Sequence, residues 1–490
     1  MDKDRFKKLV LLHSNDLHGD FLDKEHNGAL IGGVSLLSGY VQKARDEDTH
    51  VIYCVAGDML QGSLIDSEYK GLSTIEIMNM LSPDIASLGN HETDYGLTHL
   101  LFLERCARFP IVNANIFIRN PLTRLFQPFD IIEVNGMKIM FIGIITDEVM
   151  NGIKNDYLIS KLIDVYDAAV EVGRIVNAYR AIDIDLTVLL THIGFEEDKK
   201  LAALLDPEWG VDLIIGGHSH TLLEKPEVVN DILIAQAVCG TDQVGRFDLV
   251  VDTELDSVAS YDWQLVPINN KTCPKDEVLE NIVLSYKEQT DEKFNRVLCR
   301  LPQKLTHPNR YMETELGNLF ADSLKICFGT DIVLYGSGSI RLEEIGPIIL
   351  QKTLLEAIPF HSKVYMVTVT GKQLMSMIKH MLREDAFIGE HTEFFQYSKG
   401  LEAVWSRTRQ EFIKFTYNGE PIDNETKLSI TIQGYHRDNF STSFGMGYEE
   451  VLANGREYIL ATDEQEVLLE FFTDNEPTEC GIDGRLVVLP

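Results

Sequence analysis

Residues 10–21 read VLLHSNDLHGDF: a run of strand-forming residues breaks off into Asp16, His18 and Asp20. The same ending recurs down the first half of the chain. VIYCVAGD closes on Asp58, IASLGNHETD passes from an apolar run to Asn90, His91 and Asp94, LTVLLTHIG ends at His192, and DLIIGGHSH ends at His218 and His220. In open α/β sheets the loops at the carboxyl ends of the strands converge on one crevice. Asp16, His18, Asp58, Asn90, His192, His218 and His220, far apart in sequence, are therefore expected to meet there.

The pattern around these stretches supports that geometry. To about residue 270, buried-strand runs alternate with segments of helical period such as Leu36 to Lys43 and Asp164 to Tyr179, which predicts an α/β fold with helices flanking a central sheet. DEVLENIVLSYKEQTDEKFN, Asp276 to Asn295, carries apolar Val278, Leu279, Ile282, Val283 and Tyr286 before turning polar, as a connecting helix would. Beyond it, helical LGNLFADSLKICFG alternates with strand-like DIVLYGS, KVYMVTVTG, FIKFTYNG and LSITIQGY; the turn-rich EPIDNETK joins the last two. The expected organisation is a first domain over residues 1–272, a connecting helix over 273–297 and a second domain over 298–490.

Composition narrows the possible partners. A chain of 490 residues exceeds one ordinary core, so two domains are expected. Its 44% hydrophobic and 24% charged residues are those of a globular protein. No apolar run approaches the roughly 20 residues that cross a bilayer. The opening MDKDRFKKLVLLHSND has an apolar run too short for a signal peptide, which makes a cytoplasmic location the expectation. Seven scattered cysteines, Cys54, Cys106, Cys239, Cys273, Cys299, Cys327 and Cys480, form no CxxC and suggest free thiols. A formal charge of -32 argues against a nucleic-acid partner, because counterion release would contribute nothing. A small anion still binds where metal ions reverse the local field.

Asp, Asn and His oxygens and nitrogens without thiolate suit Mn, Fe, Co or Zn better than calcium or a zinc finger. Seven ligands exceed one tetrahedral site; two metals about 3.5 to 4 Å apart and sharing a carboxylate would use them all. Asp58 is the best bridging candidate, since a carboxylate offers two oxygens and Gly57 lets the backbone crowd the site. In GGHSH, His218 and His220 are expected to face one way, as alternate residues of an extended loop do.

In that order, NDLHG, GD, GNHE, TH and GGHSH resemble the calcineurin-like metallophosphatases, and ETELGNLFADSL and GSGSIR resemble the second domain of the 5'-nucleotidase and UDP-sugar hydrolase family. The resemblance implies a four-layer α/β sandwich followed by a second α/β domain that binds substrate. It implies that Asp16, His18, Asp58 and His220 hold one metal and Asp58, Asn90, His192 and His218 the other. His91 and Asp94 then resemble the family's catalytic pair. At i and i+3 on a helix, the carboxylate can hold the imidazole protonated and aimed. A metal-activated water would be the nucleophile. Alternatively His91 is only a partner to a ligand.

The resemblance assigns the substrate's grip to Arg310 and Arg341, whose guanidinium forks suit phosphate or carboxylate, and to Phe360 and Phe440, in segments that sandwich a nucleobase. Three family-polar positions are changed: Gly336 and Ser362 replace asparagines, and Met446 replaces the aspartate that accepts ribose hydroxyls. A thioether is a poor acceptor, so hydroxyl recognition is expected to be weakened or rebuilt. The expected activity is two-metal hydrolysis of phosphate esters, nucleoside 5'-monophosphates or related nucleotides first. The alternatives are a UDP-sugar or 2',3'-cyclic nucleotide hydrolase, or a non-catalytic metal-dependent nucleotide sensor. The expected partner is a small nucleotide or phosphoester, with no nucleic acid or membrane, for a chain acting as a monomer or weak dimer.

Overall fold

The computed structural model describes residues 5–26, 28–119, 123–146, 159, 163–384, 393–479 and 481–490. The chain divides into two compact units, Met1–Thr290 and Asp291–Pro490. The helix Glu277–Phe294 crosses that division. Leu279 and Val283 on it pack with Phe21, Val34, Ile65 and Ile77 of the first unit, whereas Val278, expected on the apolar face, is 64% exposed.

The first unit is built on two six-stranded sheets, as the four-layer sandwich implied by the resemblance requires, where periodicity suggested a central one. One runs, edge to edge, Ser257–Pro267, Gln243–Asp252, Phe6–Ser14, Val51–Ala56, Ile85–Ser87 and Ile111–Val112. The other runs Glu227–Val229, Ile232–Ala235, Leu213–Ile215, Leu186–His192, Met137–Ile145 and Phe129–Val134. In the strand Phe6–Ser14, Leu9 and Leu11 join Phe141, Val188 and Ile215 in a core shared by the two sheets. Val10 and Leu12, on the opposite face, pack on Leu36, Leu37 and Tyr40 of the helix Val34–Glu47. Period-two alternation thus buries both faces, which is why these strands read as continuous apolar runs. Met140, Ile142 and Leu189 of the second sheet cover the helices Val165–Ala178 and Phe195–Leu204 through Ala168, Val172 and Leu201. The layers are helix, sheet, sheet, helix.

Phe6–Ser14, Val51–Ala56 and Ile85–Ser87 are parallel neighbours, as are Met137–Ile145, Leu186–His192 and Leu213–Ile215. Parallel pairing puts the carboxyl ends of each group on one side, and the candidate ligands follow those ends.

In the second unit a five-stranded sheet runs Phe395–Tyr397, Ile332–Gly336, Lys427–Gln433, Val364–Thr370 and Tyr458–Ala461. FIKFTYNG and LSITIQGY fall in different sheets: Glu411–Tyr417 belongs to a four-stranded sheet with Leu401–Ser406 and Leu486–Leu489. The helix Glu315–Phe328 starts where Thr314 accepts a hydrogen bond from Gly317 N and stops at Gly329. No helix among the described residues is long and apolar enough to cross a membrane. Six cysteines are free thiols, and Cys480 lies outside the described residues.

Candidate metal centre

Each predicted ligand sits at or just past a strand end, and the backbone there turns sharply. Asp16, His18, Asp58, His218 and His220 all have positive φ, between 49° and 77°. Such angles are uncommon outside glycine, and Asp, Asn and His tolerate them better than most residues. They fold each loop back so that its side chain points across the strand ends.

The side chains converge in overlapping groups. Asp16, His18 and His220 place ligand atoms within 4.8 Å of one another; so do Asp58, His192 and His218, and so do His18, Asp58 and His91. His218 and His220 therefore serve different groups, and the positive φ of both replaces the extended loop expected for GGHSH. Asn90 Oδ1 meets His218 Nδ1 at 2.8 Å. Asp58 is central: its Oδ2 lies 3.1 Å from His192 Nε2 and 3.8 Å from His18 Nε2. Gly57 has φ 74°, and a Cβ there would lie 2.6 Å from Gly89 N and 2.7 Å from His192 Nδ1. Any side chain would push these loops apart.

Several contacts make sense only around a cation. His18 Nε2 and His220 Nε2 face each other at 3.1 Å, beside Asp16 Oδ1. His192 is fully buried, and its Nδ1 donates to the Ala56 carbonyl at 2.9 Å, which fixes the tautomer. Nε2 then turns its lone pair toward Asp16 and Asp58 and makes no hydrogen bond among the described residues. A lone pair facing two carboxylates is repulsive until a positive charge intervenes. Burial opposes a positive charge on His192, but Asp58 and Asp16 outweigh it and push the imidazole up to about 10. His220 rises to about 10 in the same way, burial being outweighed by its hydrogen bond to Asp16. The residues present therefore suit a cation held by imidazole and carboxylate ligands.

His91 begins a three-residue 3₁₀ turn, His91–Thr93, with Asp94 at its end, rather than an α-helix. His91 Nδ1 and Asp94 Oδ2 are 2.7 Å apart. Burial opposes protonation of His91, but Asp58 and Asp94 outweigh it and push the imidazole up to about 9.

Sequence reasoning overlooked the supporting residues. Asn15 donates to Asp16 Oδ2 and the Val238 carbonyl at 2.7 Å each and accepts from Ala237 N at 2.8 Å, anchoring the first ligand. Asp198, raised to about 7 by burial, accepts from Thr191 Oγ1 beside His192. Asp20 accepts from Thr241 N and Oγ1 and pairs with Lys24, so it braces the loop rather than joining the ligands. Asn15 was detectable as a polar residue inside a buried run; Asp198 carried no local signal.

In the second unit Arg310 and Arg341 are exposed, and burial raises the Glu393 carboxyl to about 7 while both arginines draw it back. The Arg341 guanidinium lies 4.9 Å from the centroid of the Phe360 ring. Phe440 is 3% exposed, its ring 4.7 Å from Phe444 and 4.9 Å from Tyr448, and Met446 packs on the same cluster. Gly336 has a steric reason: a Cβ there would lie 2.2 Å from Nε2 of buried His436. Ser362 accepts from Glu464 N through its carbonyl.

Residues 9–222 match the profile of the calcineurin-like phosphoesterases and residues 295–444 that of the 5'-nucleotidase C-terminal domain. The mouse 5'-nucleotidase is 25% identical over 98% of this chain and 90% of its own length. The chain belongs to the 5'-nucleotidase family. The solved 5'-nucleotidase precursor of Thermus thermophilus covers 99% of both chains at 25% identity with a TM-score of 0.79. The trifunctional nucleotide phosphoesterase protein YfkN of Bacillus subtilis is 29% identical over 78% of this chain, which spans 28% of that longer protein. This 5'-nucleotidase-family chain is a metal-dependent phosphoesterase, and its His and Asp clusters imply divalent ions.

Proposed function

We propose that the chain hydrolyses nucleoside 5'-monophosphates or related nucleotides with two divalent transition-metal ions. The observation carrying this reading is His192 Nε2, buried and without a hydrogen bond among the described residues, 3.1 Å from Asp58 Oδ2 with its other nitrogen committed to Ala56. Asp16, His18, Asp58 and His220 would hold one ion, and Asp58, Asn90, His192 and His218 the other. An imidazole-rich set without thiolate favours Mn, Fe, Co or Zn. When bound, the ions supply Lewis-acid stabilisation of phosphoryl oxygens and a water acidic enough to attack.

The chain's own residues do the rest. Asp94 accepts from His91 Nδ1–H, leaving Nε2–H to deliver a proton to the departing oxygen. In the second unit, the guanidinium forks of Arg310 and Arg341 suit an anionic ligand group. Chelation should abolish turnover and Mn²⁺ should restore it, with Mg²⁺ poorer; full activity in excess EDTA after dialysis rules the scheme out.

A second reading, hydrolysis without base selectivity, draws on the aromatic residues of the second unit. Arg341 already covers one face of Phe360, and Phe440 is enclosed by Phe444 and Tyr448. UDP-sugars, 2',3'-cyclic nucleotides or plain phosphomonoesters then compete as substrates. A panel of AMP, UMP, UDP-glucose, a cyclic nucleotide and a simple phosphomonoester separates the two; equal kcat/KM across bases favours the second.

A further inference from the structure

Glu92 lies between the candidate proton donor His91 and the rest of its turn, is 2% exposed, and belongs to none of the convergent ligand groups. Its carboxylate collects four backbone donors. Oε2 accepts from Asp58 N at 2.9 Å and Gly89 N at 2.6 Å; Oε1 accepts from Met59 N at 2.8 Å and Leu60 N at 3.2 Å. Three successive amides of the loop bearing Asp58 and the amide just before Asn90 thus share one anion. Backbone N–H groups aimed in this way form an anion-holding concavity, here filled by the chain itself.

The consequence concerns Asp58. Its φ of 52° is a left-handed conformation that an isolated aspartate loop would leave. Glu92 holds the amides of residues 58–60, and the same turn returns a bond in the other direction, from His91 N to Asp58 Oδ1 at 2.9 Å. The loop and the turn are locked in both senses. We infer that Glu92 is a positioning residue: it fixes the Asp58 carboxylate relative to Asn90, and so sets the spacing on which simultaneous occupancy by two ions depends. The inference rests on the two-ion reading above.

Glu92→Gln keeps one acceptor oxygen and turns an amide donor toward donors. Titration of metal-free protein with MnCl₂ by calorimetry should show two ions per wild-type chain. In Glu92→Gln the weaker-bound ion should lose affinity at least about tenfold, and the electron paramagnetic resonance signal of the coupled pair should give way to that of isolated Mn²⁺. At limiting Mn²⁺ kcat should fall with KM for substrate unchanged, and excess Mn²⁺ should restore it. Leu100→Ala, in the buried face of the helix Leu97–Cys106, serves as a destabilised control and should keep wild-type Mn²⁺ affinity. A folded Glu92→Gln binding two ions with wild-type affinity overturns the inference while leaving the two-ion reading intact. Fewer than two ions on the wild type overturns both. If Glu92→Gln does not fold, Glu92→Asp, one methylene short but still charged, takes its place under the same criterion.

Discussion

The pair His91–Asp94 gives the sharpest test of the chemistry. Its Nδ1–Oδ2 distance of 2.7 Å is that of a charge-assisted hydrogen bond, contributing about 1.5–3 kcal/mol. Asp94→Asn removes the charge but keeps a polar neighbour, so kcat should fall by about 10- to 150-fold, at 1.36 kcal/mol per decade. His91→Ala removes the proton donor itself and should cost about 10²- to 10⁴-fold. Because Asp94 works through the ring, the double variant should be no slower than His91→Ala alone. Leaving-group basicity adds an independent axis. p-Nitrophenolate departs without a proton, so the loss on p-nitrophenyl phosphate should be at least tenfold smaller than on a nucleoside monophosphate. Steady-state kinetics and metal analysis on all three variants decide it. Equal losses on both substrates, or a further large drop from Asp94→Asn in the His91→Ala background, would refute proton delivery by His91. Reduced metal content in His91→Ala would instead make His91 a ligand, as its position beside His18 and Asp58 permits.

Other substitutions probe the scaffold. Gly57→Ala combines a left-handed φ with contacts of 2.6–2.7 Å to Gly89 and His192 and should destabilise the chain by about 2 to 5 kcal/mol in urea unfolding; a loss under about 0.5 kcal/mol would contradict the packing described. Gly336→Ala should cost about 1–3 kcal/mol through His436, and His436→Ala should relieve most of that added cost, which a thermodynamic cycle on the four proteins measures. Glu464, fully buried and bonded to Gln433 Nε2, is raised to about 8, chiefly by burial. Its folded pKa exceeds the unfolded value, so its stabilising contribution is complete below about pH 4.5 and is lost as pH rises toward 8. Relative to Glu464→Gln, the wild-type Tm should therefore fall between pH 5 and 8, and parallel Tm curves would exclude that role.

The ligand set was legible because strand ends and ligand types coincide in sequence. Asp16, Asp58 and Asn90 follow buried runs of the first sheet, and His192, His218 and His220 those of the second. The two-sheet, four-layer arrangement came from the family resemblance and is borne out, whereas periodicity alone suggested one central sheet. Leu9 and Val10 are equally apolar, yet one faces the other sheet and the other a helix, a distinction periodicity does not carry. GGHSH misled because both histidines take a left-handed conformation that composition permits without requiring it. The enclosure of Phe440 depends on Phe444 and Tyr448, at helical spacing that served equally for a base-stacking segment. Gly336 gained its explanation only from His436, far along the chain.

Left-handed backbone at five candidate ligands raises the question of what holds those loops. Residues in such conformations cost about 1–3 kcal/mol each and persist only when their surroundings fix them. Here the candidate ligands brace one another. Both Asp16 oxygens accept from His218 N, at 3.1 and 3.0 Å, and the Asp16 carbonyl accepts from Gly240 N. Asp58 Oδ1 accepts from His91 N, and the Asp58 carbonyl accepts from His18 N. Each carboxylate thus orients the backbone of another site residue as well as facing the convergent imidazoles. Replacing Asp16 with Asn keeps an oxygen for one His218 bond but removes a charge from the cluster; Asp16→Ala removes both. If bracing matters beyond charge, Asp16→Ala should lose more metal affinity than Asp16→Asn and also shift the imidazole resonance of His218, whose backbone N–H donates to Asp16. Identical His218 spectra in the two variants would mean that the loops hold their shape unaided.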